Sequence, residues 1–136
     1  MFSGNWATGT DTQSGISGYE YAIGTGTSDT QLINVLNWTF TTFTSFSNSA
    51  ISPALSNAVK YYLNVRSKDY AGNTSSIISS DGLTIDTSAP VGPTPILDGI
   101  GTDNDYTTSQ TTLNGSWTAA TDGLNESGVA GYEYSV

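Results

Sequence analysis

The sequence predicts an all-β protein, a two-sheet sandwich drawn from a tandem repeat. Three observations carry that prediction. Ser, Thr, Gly and Asn fill the polar positions while charged residues make up only 11% of the chain, a mix that suits strands and tight turns rather than long surface helices. Several segments alternate apolar and polar side chains with a period of two. One block also occurs twice, as FSGNWATGTDTQSGISGYEYAI near the start and LNGSWTAATDGLNESGVAGYEYSV at the end.

The duplication locates a loop directly. Trp6 matches Trp117 and Asp11 matches Asp122, both at an offset of 111 (117 − 6 and 122 − 11). Gly18, Tyr19, Glu20 and Tyr21 match Gly131, Tyr132, Glu133 and Tyr134 at an offset of 113 (131 − 18). The two extra residues fall in DGLNESG against DTQSG. Surface loops absorb such insertions and strands rarely do, so this segment joins two strands. Residues 24–86 and 87–112 occur once each, so the chain holds one period plus the overlap.

The elements follow in order. Tyr19, Tyr21 and Ile23 share one strand face, with Glu20 and Ala22 opposite. Gly24-Thr25-Gly26-Thr27 is a turn. QLINVLNWTF is a strand of mixed period, and TTFTSFSNSAI is β-rich in composition without a clear register. Tyr61, Leu63 and Val65 share a face, with Lys60, Tyr62, Asn64 and Arg66 on the polar side. KDYAGNTS, residues 68–75, is a hairpin loop. SSIISSDGLTID is a strand kinked at Asp81-Gly82, where glycine can take the left-handed conformation of a bulge. DTSAPVGPTP holds three of the four prolines; without ladder donors it is an extended linker. The expected core is Trp6, Ile16, Tyr19, Tyr21, Ile23, Leu55, Tyr61, Leu63, Val65 and Ile85. Burial of these large side chains offsets the ordering cost of a domain without disulfides.

Composition excludes several function classes. Three basic and 12 acidic residues give a net charge of −9, which argues against nucleic acid and anionic membrane partners. Cys and His are absent, which removes disulfides, thiolate sites, imidazole ligands and the Ser-His-Asp and Cys-His arrangements. No apolar run approaches the roughly 20 residues needed to span a bilayer. Met1 is followed at once by strand-like residues, without a basic region or apolar signal core, so the expectation is an N-terminus lying upstream in a longer gene, or a cloned piece of one.

Taken in order, these segments resemble the fibronectin type III family of immunoglobulin-like sandwiches, in the variant found in large bacterial surface and secreted repeat proteins. Trp6 and Trp117 resemble the core tryptophan of that family's second strand, and ISGYEYAI and VAGYEYSV its third. LSNAVKYYLNVRSKDYAGNTS resembles the sixth strand and the loop after it. Leu55, six residues before Tyr61, matches the spacing of the family's tyrosine corner. TIDTSAP resembles a junction between modules, and ILDGIGTDNDYTTSQTTLNGSW a first strand with its long loop. Residues 24–54 depart from the pattern by being longer than the family needs there.

The resemblance implies a module over residues 2–86 that lacks its first strand, a proline-bearing linker over 87–91, and the first three strands of a second, truncated module over 92–136. Three strands cannot close a sandwich, so Trp117, Tyr132 and Tyr134 need a cover, and the open edge invites strand addition.

Candidate chemistry is sparse. A serine paired with Lys60 or Lys68 is the one nucleophile–base pairing that composition allows, but the predicted positions, a polar strand face and a hairpin loop, do not favour it. Asp86-Thr87-Ser88 resembles the DTG of aspartic proteases, yet its third residue differs and Ala89-Pro90 follow, so the linker reading stands. Glu20 and Glu133 point outward without a paired carboxylate across a cleft. Asp98, Asp103 and Asp105 form an oxygen-rich loop with Asn104 and are calcium candidates, with Asp86 or Asp122 as further ligands; the alternative is a solvated acidic turn. The spacing lacks the glycine and terminal glutamate of a helix-loop-helix calcium loop. Tyr62 and Tyr70 are exposed aromatics able to stack on sugar rings or anchor a partner, although isolated exposed aromatics are common. Trp38 fits either face, with the core face preferred.

The expected function is therefore non-catalytic. The chain is a structural or adhesive repeat module of an extracellular or cell-surface bacterial protein, acting as a stalk or spacer. Its expected partners are neighbouring repeats of the same chain, with a cell-surface protein or glycan as a further candidate. The alternative is an accessory spacer, or weak carbohydrate-binding module, of a secreted polysaccharide-degrading enzyme. Neither needs a catalytic residue or a cofactor, calcium being the one candidate ion.

Overall fold

The structure is a computed structural model, and it describes residues 1–49 and 51–136. The strands are β1 Phe2–Asn5, β2 Ile16–Gly24, β3 Leu36–Thr41, β4 Ser45–Asn48, β5 Lys60–Asp69, β6 Ile78–Ser79, β7 Leu83–Thr84, β8 Ile96–Leu97 and β9 Ser116–Trp117, with a short 3-10 turn at Asp29–Leu32. The chain divides into two compact units, Met1–Ile85 and Asp86–Val136.

The first unit is an antiparallel β-sandwich. One layer is the β1–β4 ladder, and the other runs β3-β2-β5-β6 with β7 also on β5. Phe2 and Phe46 from the small layer pack on Ile23, Tyr61 and Leu63 from the large one. Tyr21 stacks on Phe46 at 4.7 Å between ring centroids, and Trp6 stands edge-on to Tyr19 at 5.8 Å. Gly4 keeps the layers close, since a Cβ there would sit 2.4 Å from the Leu63 side chain.

The expected inward faces of β2 and β5 are the ones observed. Trp6, Tyr21, Leu55, Val65 and Ile85 are half-buried against the cluster. Ile16 lies outside it. Phe2, Leu32 and Phe46 are buried without having been expected in the core. Phe46 sits between serines, Phe2 stands at the start of the chain, and Leu32 lies in a run of mixed period, so no period-two signal marks them.

Two faces differ from the alternation argument. Ala22 and Asn64, assigned to the polar side, are both fully buried. The cause is the long segment after β2, which folds back over that face. The Asn64 amide donates to the carbonyls of Leu32 at 3.2 Å and Gly26 at 3.4 Å, while its oxygen accepts from the Ser79 hydroxyl at 2.6 Å. Gly24 permits the return, because a Cβ there would fall 1.7 Å from the Gln31 carbonyl oxygen. Trp38, preferred for the core, instead lies half-buried beneath Arg66, whose guanidinium carbon is 4.4 Å from its ring centroid.

The hairpin after β5 is shorter than 68–75, because Lys68 and Asp69 still pair with Gly18 and Ile16 of β2. The kink at Asp81-Gly82 splits the last strand into β6 and β7, and Gly82 adopts a φ of +87° there. At the corner before β5, the Tyr61 hydroxyl accepts the Ser56 N–H at 2.9 Å.

The second unit has a thinner framework. β8 and β9 pair Ile96 with Trp117 and Leu97 with Ser116, and Val91 bridges Thr121. Trp117 lies 5.5 Å from the Tyr132 ring and 6.4 Å from that of Tyr134. Residues 131–136, expected as a third strand, join no ladder among the described residues. Their counterpart in the first unit is β2, which is held by β3 and β5 on its two sides.

Candidate functional site

The outer face of the five-stranded sheet collects all three basic residues of the chain, because positions 60, 66 and 68 share one face of β5. Register places Arg66 opposite Glu20 of β2. The Arg66 guanidinium meets the Glu20 carboxylate at 2.7 Å, and the Lys68 ammonium reaches its other oxygen at 3.4 Å. Burial pushes the Glu20 carboxyl up, but the Arg66 hydrogen bond and charge, with the Lys68 contribution, outweigh it and hold the group below its ordinary range. Trp38 floors the same cluster.

This arrangement neutralises charge instead of presenting it. Glu20 has two cations on it, so it is fitted neither as a general acid nor as a nucleophile. Lys68 is held as an ion pair, and Lys60 lies over the Tyr62 ring at 5.7 Å. Tyr62 is half-buried with one face taken by Lys60, whereas Tyr70 stands 76% exposed on the hairpin tip. Of the two tyrosines considered for sugar stacking, only Tyr70 has an open ring.

The acidic loops serve the backbone. Asp11 accepts the N–H groups of Ser14 at 2.8 Å and Gly15 at 2.7 Å and the Ser14 hydroxyl at 2.9 Å. Asp69 accepts the Asn73 N–H at 2.7 Å and its side-chain amide at 2.8 Å. Asp86 accepts Ser88 N–H at 3.0 Å and Ser127 N–H at 2.8 Å. These bonds favour the charged form, so Asp11, Asp69 and Asp86 all titrate below the usual carboxylate range. Asp122 accepts the Gly128 N–H at 2.8 Å, while its second oxygen is buried without a partner.

The calcium candidates lie in one turn. Asp103 accepts the Asp98 N–H at 3.1 Å, and the Asp98 carbonyl accepts the Asn104 N–H at 2.8 Å. Among the described residues, no three acidic side chains are gathered closely enough to hold a cation. Asp98, Asp103 and Asp105 are thus neighbours in sequence that the fold does not converge. Sequence reasoning missed Asn64 and Arg66 as organising residues. The cross-strand offset of Glu20 and Arg66 was invisible before the register was known.

Comparison with known proteins gives one similarity of note. The chain is 40% identical over 79 residues to exoglucanase A of Cellulomonas fimi. The match takes in 54% of this chain and spans only 8% of the length of that protein. No family model matches the sequence, and no solved structure matches it. Among the described residues, no helix is long and apolar enough to cross a membrane.

Proposed function

We propose that this chain is a non-catalytic, fibronectin type III-like spacer from a secreted bacterial enzyme that degrades polysaccharide. The similarity to exoglucanase A carries the reading, because it is confined to 8% of that protein, the size of an accessory module and not of the whole enzyme. Three features of the chain support it. Glu20, Arg66 and Lys68 are joined in one ion-pair cluster, and Asp11, Asp69 and Asp86 cap turns. The tyrosine corner at Ser56–Tyr61 and the two facing layers fit the immunoglobulin-like architecture. The duplicated Trp and Gly-Tyr-Glu-Tyr block fits a chain of successive modules. Each would contact its neighbours and hold a catalytic domain at a set distance from its substrate.

The test is insertion of the chain between a glycoside hydrolase domain and a cellulose-binding domain. Turnover of a soluble oligosaccharide stays unchanged, while turnover of insoluble cellulose changes with the number of copies inserted. Hydrolysis of glucan by the isolated chain would overturn the proposal.

The repeat itself favours a second reading, a stalk module of a surface adhesin. The reading frame on either side separates the two: a catalytic domain supports the enzyme spacer, and a long array ending in a wall anchor supports the stalk.

A further inference from the structure

The core accounts for two of the four residues in the duplicated Gly-Tyr-Glu-Tyr. Tyr19 and Tyr21 turn inward, onto Trp6 and Phe46. Gly18 and Glu20 face the other way, yet both recur, as Gly131 and Glu133 at the offset of 113 (131 − 18 and 133 − 20). The next residue on that outer face, Ala22, does not recur; its counterpart is Ser135. Ala22 is covered by the fold-back segment, whereas Gly18 and Glu20 belong to the open part of the sheet.

These two residues together build a flat patch. Gly18 makes room for an aromatic ring: a Cβ there would sit 2.6 Å from Phe40 Cζ and 2.8 Å from its Cε2. The Phe40 ring therefore lies across the glycine, and it is still 50% exposed. Glu20 stands opposite Phe40 on β3 and opposite Arg66 on β5. Its carboxylate fixes the Arg66 guanidinium and the Lys68 ammonium, while the Trp38 ring supports the guanidinium from below. Lys68 is also the cross-strand partner of Gly18. Neighbouring strands lie about 4.8 Å apart, so ring and cations share a patch roughly 10 Å across. The Arg66 and Lys68 side chains keep 27% and 36% of their surface open.

We propose that this patch is a binding platform for a neutral β-linked glucan. A pyranose with equatorial substituents carries C–H groups on its faces and hydroxyls around its rim. The exposed Phe40 ring takes the face, and the Arg66 and Lys68 N–H groups donate to the rim hydroxyls. Glu20 and Trp38 already hold these donors in place, so binding loses little side-chain freedom. Charge selects an uncharged ligand. Glu20 offsets part of the charge of the two cations, and the rest of a chain with net charge −9 repels a polyanion. A neutral sugar meets no such barrier. The choice of a glucan rests on the spacer reading; the platform itself rests on the four side chains and Gly18.

The experiment titrates the full chain with cellohexaose and follows its backbone amides by NMR. The amides of Gly18, Glu20, Phe40 and Arg66 shift together and saturate at millimolar sugar, and added salt leaves the affinity unchanged. Phe40→Ala weakens binding about fivefold to tenfold, the loss of one stacked ring. Lys68→Gln leaves the cover over Gly18 in place and also weakens binding, so it decides the matter if Phe40→Ala does not fold. Tyr70→Ala has no effect. No shift at these amides with cellohexaose at its solubility limit overturns the platform; the spacer reading is tested separately, by copy number. Shifts centred on Tyr70 overturn it too, as does a preference for polygalacturonate that salt abolishes. So does undiminished binding by a folded Phe40→Ala chain.

Discussion

The Tyr19 hydroxyl accepts a hydrogen bond from the Gly9 N–H at 3.0 Å, tying the loop after β1 to the second strand. The repeat reproduces the bond. Tyr132, the counterpart of Tyr19, accepts the Ala120 N–H at 2.8 Å, and Ala120 is the counterpart of Gly9. The inserted residues separate the partners by 12 positions instead of 10 without changing the contact. Asp11 and Asp122 likewise accept from the matching Gly15 and Gly128, which have φ of +78° and +81°. The duplicated block therefore encodes a local structural device that forms in both units.

Tyr19→Phe deletes the acceptor while keeping the ring against Trp6. It leaves a partly buried Gly9 N–H to find water, so the expected loss is about 1 kcal/mol. Tyr132→Phe removes a bond in more exposed surroundings, where water replaces it at lower cost, and its effect is smaller. Urea unfolding of the two variants measures the difference. Equal losses would show that the facing layer adds nothing to the Tyr19 bond.

Asn64→Ala tests the fold-back segment. The change strands the Leu32 and Gly26 carbonyls and the Ser79 hydroxyl and leaves a cavity beneath residues 25–35. Orphaned buried polar groups cost about 1–3 kcal/mol each, and partial rehydration keeps the expected total near ~3 kcal/mol. The chemical-denaturation midpoint reports the loss. Hydrogen exchange of residues 25–35 should rise more than that of β5, because the side chain fastens the segment and not the sheet.

That prediction marks where the sequence stopped being legible. Period-two alternation correctly divided Tyr61, Leu63 and Val65 from Asn64 and Arg66. Alternation says which side a residue faces and not what covers that side. The sheet's outer face has one part under Leu32 and another open to solvent, and only the path of residues 25–35 separates them. Phe46 was hidden for a related reason: Ser and Thr surround it, and a four-residue strand offers too few turns of the pattern. The loops of the candidate site were opaque in another way. A carboxylate's role depends on which amides lie within reach, and Asp11 and Asp69 resemble Asp98 in sequence while capping different turns.

Gly24→Ala probes the closest approach in the fold. The added methyl meets the backbone at Gln31 and Leu32 instead of a flexible side chain, so the segment must move as a whole. Overpacking of this kind typically costs about 1–3 kcal/mol, and the upper end is expected here. Gly4→Ala meets the Leu63 and Phe46 side chains rather than backbone, and side chains can shift where a backbone segment cannot, so it should cost less. Thermal midpoints of the two variants provide the ranking.

Glu20→Gln tests the outer-face cluster through pH. The Glu20 carboxyl titrates below its ordinary value of 4.5, because Arg66 and Lys68 outweigh its burial. A depressed carboxylate contributes stability that is present above its unfolded pKa and disappears as pH falls through its folded pKa. The wild-type chain therefore loses the Glu20 contribution on acidification from about pH 5 downward. The turn caps Asp11, Asp69 and Asp86 titrate in the same direction, so the variant is still destabilised by acid. The informative quantity is the gap between the two proteins. It should be largest near neutrality, at about 1 kcal/mol for a partly screened pair, and close as Glu20 takes up its proton. A gap of the same size at pH 7 and pH 3 would show that Glu20 acts through packing on Trp38 and not through its charge.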